Sequence, residues 1–244
     1  MRSHNPVIKE KIFAEQARSH AGSAVMTVDG TMGKTAILLA ILTVCASFTF
    51  NTVVSGSGLN QVFVFGGAIA GLVLALIISF KPMTAPMLAP AYAACQGLLL
   101  GGISGMYHLA YQGIVLQAVL LTLGIALAML AIYRFRIIRV TQRFRMIVGA
   151  GMAGIFFIYM MSFILSFFGA SVPFLHSTGP IGIGISVVFI VIVSFMLLLD
   201  FDMIEKGAQQ GAPKAMEWYG GFALLVTLIW LFIELLRLLA KTRD

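Results

Sequence analysis

IGIGISVVFIVIVSFMLLLDFDMIEKG (Ile181 to Gly207) runs from Ile181 to Leu199 without a charge and only then meets acids and a lysine. A helix of roughly 20 residues crosses the hydrocarbon core of a bilayer, and the apolar run Ile181–Phe201 has that length. In lipid every backbone N–H and C=O must be bonded within the segment, so the run is helical. It lacks the alternation of a barrel strand. Outward from it, apolar runs of spanning length lie at Ala36–Val54, Val62–Phe80, Pro86–Leu109, Gly113–Tyr133, Met146–Phe168 and Gly220–Ala240. The breaks carry turn chemistry: Gly56-Ser57-Gly58, Lys81-Pro82, Gly169 to Pro180, and Gly211-Ala212-Pro213. The expected fold class is all-α: a polytopic membrane protein built as a seven-transmembrane-helix bundle.

Composition points the same way. Hydrophobic residues make up 60% and charged residues 10% of 244, against roughly 25% charged in a soluble domain. Seven crossings leave no room for a separate soluble domain. Residues 1–34 are expected to form a polar cytoplasmic N-terminal arm and 35–244 one transmembrane domain. The first 25 residues include Glu10 and Glu15 and hold no signal-peptide core, so the first span directs its own insertion. Cys45 and Cys95 fall inside apolar runs, where a thiol behaves as a small hydrophobe, and argue for neither a disulfide nor a metal.

The formal net charge of +7 matters through its placement. Arg2, Lys9, Lys11, Arg18 and Lys34 precede span 1, and Lys81 lies between spans 2 and 3. Arg134, Arg136, Arg139, Arg143 and Arg145 lie between 4 and 5, and Lys206 and Lys214 between 6 and 7. The alternate connections hold no lysine or arginine. By the positive-inside rule the N-terminus is cytoplasmic and the C-terminus outside. Arg237, Lys241 and Arg243 pull the other way, and a partial eighth element or a re-entrant last segment is the alternative. RFRIIRVTQRFR (Arg134 to Arg145) interleaves its arginines with apolar side chains, as a stretch resting on anionic headgroups does. The bilayer is thus the expected partner, and nucleic acid is not. Gly67-Ala-Ile-Ala-Gly71 and Gly101-Gly-Ile-Ser-Gly105 would let spans 2 and 3 approach their neighbours closely within the monomer.

Carboxylates within a bilayer are costly and therefore candidates for function. Three qualify: Asp200 and Asp202 at the end of span 6, and Glu234 in WLFIELLRLL (Trp230 to Leu239) of span 7. The two aspartates point about 200° apart on a helix. Asp200, behind the apolar run, is expected to be the buried one, while Asp202 either faces a second environment or is solvated. Glu234 either serves a site or pairs with Arg237 at i+3. Should Asp200 and Glu234 converge, the two acids could not both ionise cheaply and would titrate as a unit, a proton sensor that when ionised offers hard oxygens to Ca2+.

Enzyme chemistry is not expected. Gly102-Ile-Ser104-Gly105 has the shape of an intramembrane serine-protease motif, but His4, His20, His108 and His176 all lie away from mid-membrane depth. No metalloprotease or phosphate-loop motif occurs, and no cofactor is expected.

SHNPV (Ser3 to Val7), MTVDGTMGKT (Met26 to Thr35), APMLAPAYAACQGLLLGGIS (Ala85 to Ser104), GIVLQAVLLT (Gly113 to Thr122), GPIGIG (Gly179 to Gly184), LLLDFDMIEKG (Leu197 to Gly207) and GAPKAMEWY (Gly211 to Tyr219) together resemble the Bax inhibitor-1 family, in its bacterial branch with a polar arm. The resemblance covers most of the chain. It implies six helices around a central helix 7, residence in the plasma (bacterial inner) membrane, and a pH-sensitive Ca2+ leak gated by acids on helices 6 and 7. The first of these acids falls on Asp200. The second falls on Glu234, or, with a shift of two turns, on Thr227, which would abolish the pair. The family's helix-3 glutamate is Gln96 here, placing an amide beside the implied path, with Arg237 as a further pore or gate residue. A non-conducting protein that modulates membrane proteases or stress responses through membrane-protein partners is the alternative.

Overall fold

The computed structural model describes residues 24–56, 60–167 and 179–243. Most of the arm, with Arg2, Lys9, Lys11, Arg18 and Ser3–Val7, and most of the connection from Gly169 to Pro180 lie outside the described residues. Among the described residues seven long helices follow one another: α1 Val28–Val54, α2 Asn60–Phe80, α3 Ala85–Ala110, α4 Ile114–Arg134, α5 Gln142–Phe167, α6 Pro180–Gln209 and α7 Met216–Lys241. A single 3₁₀ turn, Pro82–Thr84, leads into α3. Among the described residues the only extended pairing is an isolated antiparallel bridge between Val25 and Pro213. All seven helices are long and apolar enough to cross a membrane, and the chain is a multi-pass membrane protein.

Each apolar run corresponds to one helix, and the differences lie at the ends. Helix α1 starts at Val28, where Thr27 caps it by accepting the Gly30 N–H at 3.0 Å. Helix α6 carries both aspartates and continues past Phe201 to Gln209. Helix α7 begins at Met216, before Gly220. Hydropathy marks only the part of a helix that lies in hydrocarbon. Its hydrogen-bonded backbone continues into the headgroup layer, where charged side chains are solvated.

The helices belong to two compact units. One comprises the described residues up to Gln112 with Asp200–Val226, the other Gly113–Leu199 with Thr227 onward. In the first unit, α3 packs on α1 and α2 through glycines. A Cβ on Gly97 would lie 2.5 Å from the Leu42 carbonyl, one on Gly101 would run into the Ala46 backbone, and one on Gly67 of α2 would lie 2.5 Å from the Cys95 carbonyl. The obstructing atoms are main chain, so the small residues are what permit these approaches. In the second unit Ile155 and Phe189 are buried, packed with Met152, Tyr159, Ile185, Ile192 and Trp230.

Half of the spanning window of α6 and of α7 is buried, more than in any other helix, so the charges on these two helices sit on the best-shielded elements. Large apolar side chains elsewhere, such as Phe80, Met87, Leu127 and Ile147, are exposed. In water these would form an aggregating surface; in a bilayer they face lipid.

Candidate functional site

Helix α7 carries Thr227, Trp230, Glu234, Arg237 and Lys241 at steps of three and four residues, a spacing that holds them on one face. Glu234 lies at the centre of this stripe and is 1% exposed. Its Oε1 accepts hydrogen bonds from the Tyr159 hydroxyl of α5 at 2.5 Å and from the Trp230 Nε1 at 3.2 Å. Arg237 sits 3.3 Å away as an ion-pair partner, donates to the Tyr159 hydroxyl, and places its guanidinium 5.1 Å from the centre of the tyrosine ring. Carboxylate, phenol and guanidinium thus close a triangle, to which indole adds a fourth donor bond. The tyrosine ring is set by an edge-on contact with Phe189, 5.8 Å between centroids.

One turn beyond Arg237, Lys241 is buried, and its ammonium donates to the Gly182 carbonyl at 3.1 Å and to Ser186 Oγ at 3.0 Å in the first turns of α6. Arg243 reaches Gln117 Oε1 at 2.8 Å. The second unit therefore holds a buried acid with three cations strung along the same helix end. The oxygens of Glu234 face donors, an arrangement that satisfies an ionised carboxylate without a metal. Among the described residues no three His, Cys, Asp or Glu side chains converge as a metal set.

The acids of α6 belong to the first unit. Asp200 is 1% exposed and is an electrostatic neighbour of the Tyr219 phenol. Asp202 pairs with Lys206 at 3.1 Å and keeps partial access to solvent. Gln96 lies in α3, hydrogen-bonded to Tyr92 and packed over Gly71, where a Cβ would stand 2.8 Å from its amide nitrogen. Thr227, the other candidate for the second acid position, is buried on the α7 stripe. The structure thus joins Glu234 to Arg237. It assigns Asp200, Asp202 and Gln96 to the other unit, each with its own partners.

Three participants are not singled out as site residues by the sequence. Tyr159 carried a legible signal, since a hydroxyl in the middle of an apolar span needs a partner. Lys241, read as part of a tail, is the last residue of α7. Glu217, read as part of a polar connection, stands in the first turn of α7 and is 1% exposed. Its Oε1 accepts from both the N–H and the hydroxyl of Thr27 at 3.1 Å, at the N-terminus of α1. A negative charge there meets the positive ends of two helix dipoles, that of α1 and that of its own helix. Around it Met26 N–H donates to the Ala212 carbonyl at 2.7 Å, Lys214 N–H to the Ala24 carbonyl at 2.8 Å, and Lys34 lies 4.9 Å over the Trp218 ring. The two stretches MTVDGTMGKT and GAPKAMEWY are therefore the two halves of one clasp. Gly211, at φ +70°, makes the turn that presents the second half.

A family model described as Bax inhibitor 1 like matches residues 5–244 of the chain. No curated protein and no solved structure matches it.

Proposed function

The chain belongs to the Bax inhibitor-1-like family, and from that premise we propose that it is a proton-sensitive cation leak or permease, with Ca2+ as the transported ion, in which the buried acids Asp200 and Glu234, each within its own compact unit, are the gating groups. The observation that carries this reading is the environment of Glu234. A carboxylate in a membrane-spanning helix is held by a tyrosine, a tryptophan and an arginine whose side chain is still 29% exposed. While the triangle is closed, its donors occupy the carboxylate lone pairs and keep a cation from them. Uptake of a proton discharges Glu234 and removes its hold on Arg237, so the balance between closed and released arrangements depends on pH. Asp200, buried in the other unit, is the second group whose charge depends on protons. Asp202 is a further proton-sensing or ion-binding candidate of this reading, and Gln96 and Arg237 are its pore or gate candidates. The orientation that goes with the reading places the arm in the cytoplasm and the end of α7 outside, in the plasma membrane.

The test is Ca2+ influx into proteoliposomes holding the full chain, measured from acid to neutral pH for the unmodified protein, Asp200→Asn and Glu234→Gln. Influx is expected to vary severalfold with pH in the unmodified protein and to lose most of that dependence in each variant. An unchanged profile in both variants overturns the gate. Influx no greater than that of empty vesicles, together with stoichiometric crosslinking from the arm to a membrane protein, replaces it with the non-conducting interaction protein.

A further inference from the structure

The connection between α4 and α5 holds charge with no internal answer. Helix α4 ends at Arg134 and α5 begins at Gln142, so residues 135–141 join two membrane-spanning helices and must lie at the bilayer surface. The chain has no Asp or Glu between Asp29 and Asp200. Among the described residues no ion pair involves Arg134, Arg136, Arg139 or Arg143, and all four are exposed.

The backbone shows that these side chains are presented by a built turn. Ile137 N–H bonds to the Ile132 carbonyl at 3.0 Å and Arg136 N–H to the Tyr133 carbonyl at 3.0 Å, the two bonds of a Schellman helix end. The residue in the left-handed position is Arg136, at φ +54°, where glycine would be unstrained. The turn leaves Phe135 76% and Ile137 69% exposed. Thr141 then restarts the chain as α5, its hydroxyl accepting the Phe144 N–H at 3.2 Å. An arginine held where glycine is easier, between two exposed apolar side chains and beside three more exposed arginines, makes a surface that is cationic and wedge-bearing at headgroup depth.

We propose that this turn is a docking site for anionic phospholipid headgroups, with Arg134, Arg136, Arg139 and Arg143 taking the phosphates and Phe135 and Ile137 entering the upper acyl region. The guanidinium fork suits a phosphate diester by bidentate bonding, which an ammonium cannot reproduce. The site is distinct from the Glu234 triangle and holds whether or not the chain conducts.

The experiment uses the full chain in detergent with defined phosphatidylglycerol or phosphatidylcholine, lipid retention being read by native mass spectrometry. The unmodified protein is expected to retain phosphatidylglycerol over phosphatidylcholine. Each lost contact should lower that preference about fivefold, the equivalent of one basic residue at a charged surface. Arg136→Gly is the decisive variant. It relieves the left-handed strain and should raise thermal stability while lowering phosphatidylglycerol retention, a combination that a purely structural arginine would not give. Changing all four arginines to lysine keeps the charge and the topology and should weaken retention without abolishing it. Equal retention of both lipids by the unmodified protein overturns the proposal. So does full retention in Arg136→Gly, or displacement of the lipid by millimolar inorganic phosphate or by an oligonucleotide at matched ionic strength.

Discussion

Glu234 and Glu217 are both 1% exposed, and the chain satisfies them by different means. Glu217 takes two hydrogen bonds from Thr27 at a helix N-terminus and is balanced by dipoles. Glu234 stands about two turns before the C-terminal end of α7, where no helix N-terminus answers its charge, and is met by a full counter-charge with two neutral donors. Tyr159 is the hinge of that arrangement, because its hydroxyl both donates to Glu234 and accepts from Arg237. Tyr159→Phe leaves one buried hydrogen-bonding position empty on each side. It should cost about 1–3 kcal/mol, read as a lower unfolding midpoint in detergent, and should shift the pH profile of any flux without removing it. Glu234 was legible from the sequence because nothing else in its span carries a negative charge. Glu217 was not, since its polar neighbours disguise it as loop and its partner is 190 positions away.

At the scale of elements, hydropathy located every helix, because the bilayer imposes one length on all of them. The ends escaped it. Helix α6 runs on to Gln209 and α7 starts at Met216, carried by hydrogen bonding that a polar sequence does not interrupt. The glycine spacing in α2 and α3 was legible as close packing, but not which glycine touches what. Gly101 lies against main chain of α1, whereas Gly124 in α4 has nothing within 4 Å of its would-be Cβ. Gly101→Ala should therefore destabilise by about 1–3 kcal/mol through overpacking that cannot relax. Gly124→Ala should leave stability unchanged or raise it by about 0.5–1 kcal/mol. Thermal unfolding of the two variants side by side checks this contrast, and equal behaviour would contradict the packing of α3 on α1.

For the whole molecule, the unequal distribution of charge is the governing fact. All the acids from Asp200 to Glu234 lie on α6, on α7 or at their ends, and these are the helices with the greatest burial. Of the described basic residues, Lys81 and the arginines from Arg134 to Arg145 lie at helix ends or in connections, as residues at the headgroup layer do, whereas Arg237 is paired with Glu234 and Lys241 is buried against the start of α6. The sequence made the distribution visible, but it could not reveal that Asp200 and Glu234 belong to different compact units, since membership depends on contacts far apart in the chain. Proton-sensitive permeation is what we propose for the buried acids on these shielded helices. The most direct measurement is Ca2+ uptake by proteoliposomes of the unmodified chain, followed with an entrapped indicator as external pH is stepped from acid to neutral. A severalfold, reversible change of uptake above that of empty vesicles is the predicted result. Uptake equal to empty vesicles at every pH would contradict the account.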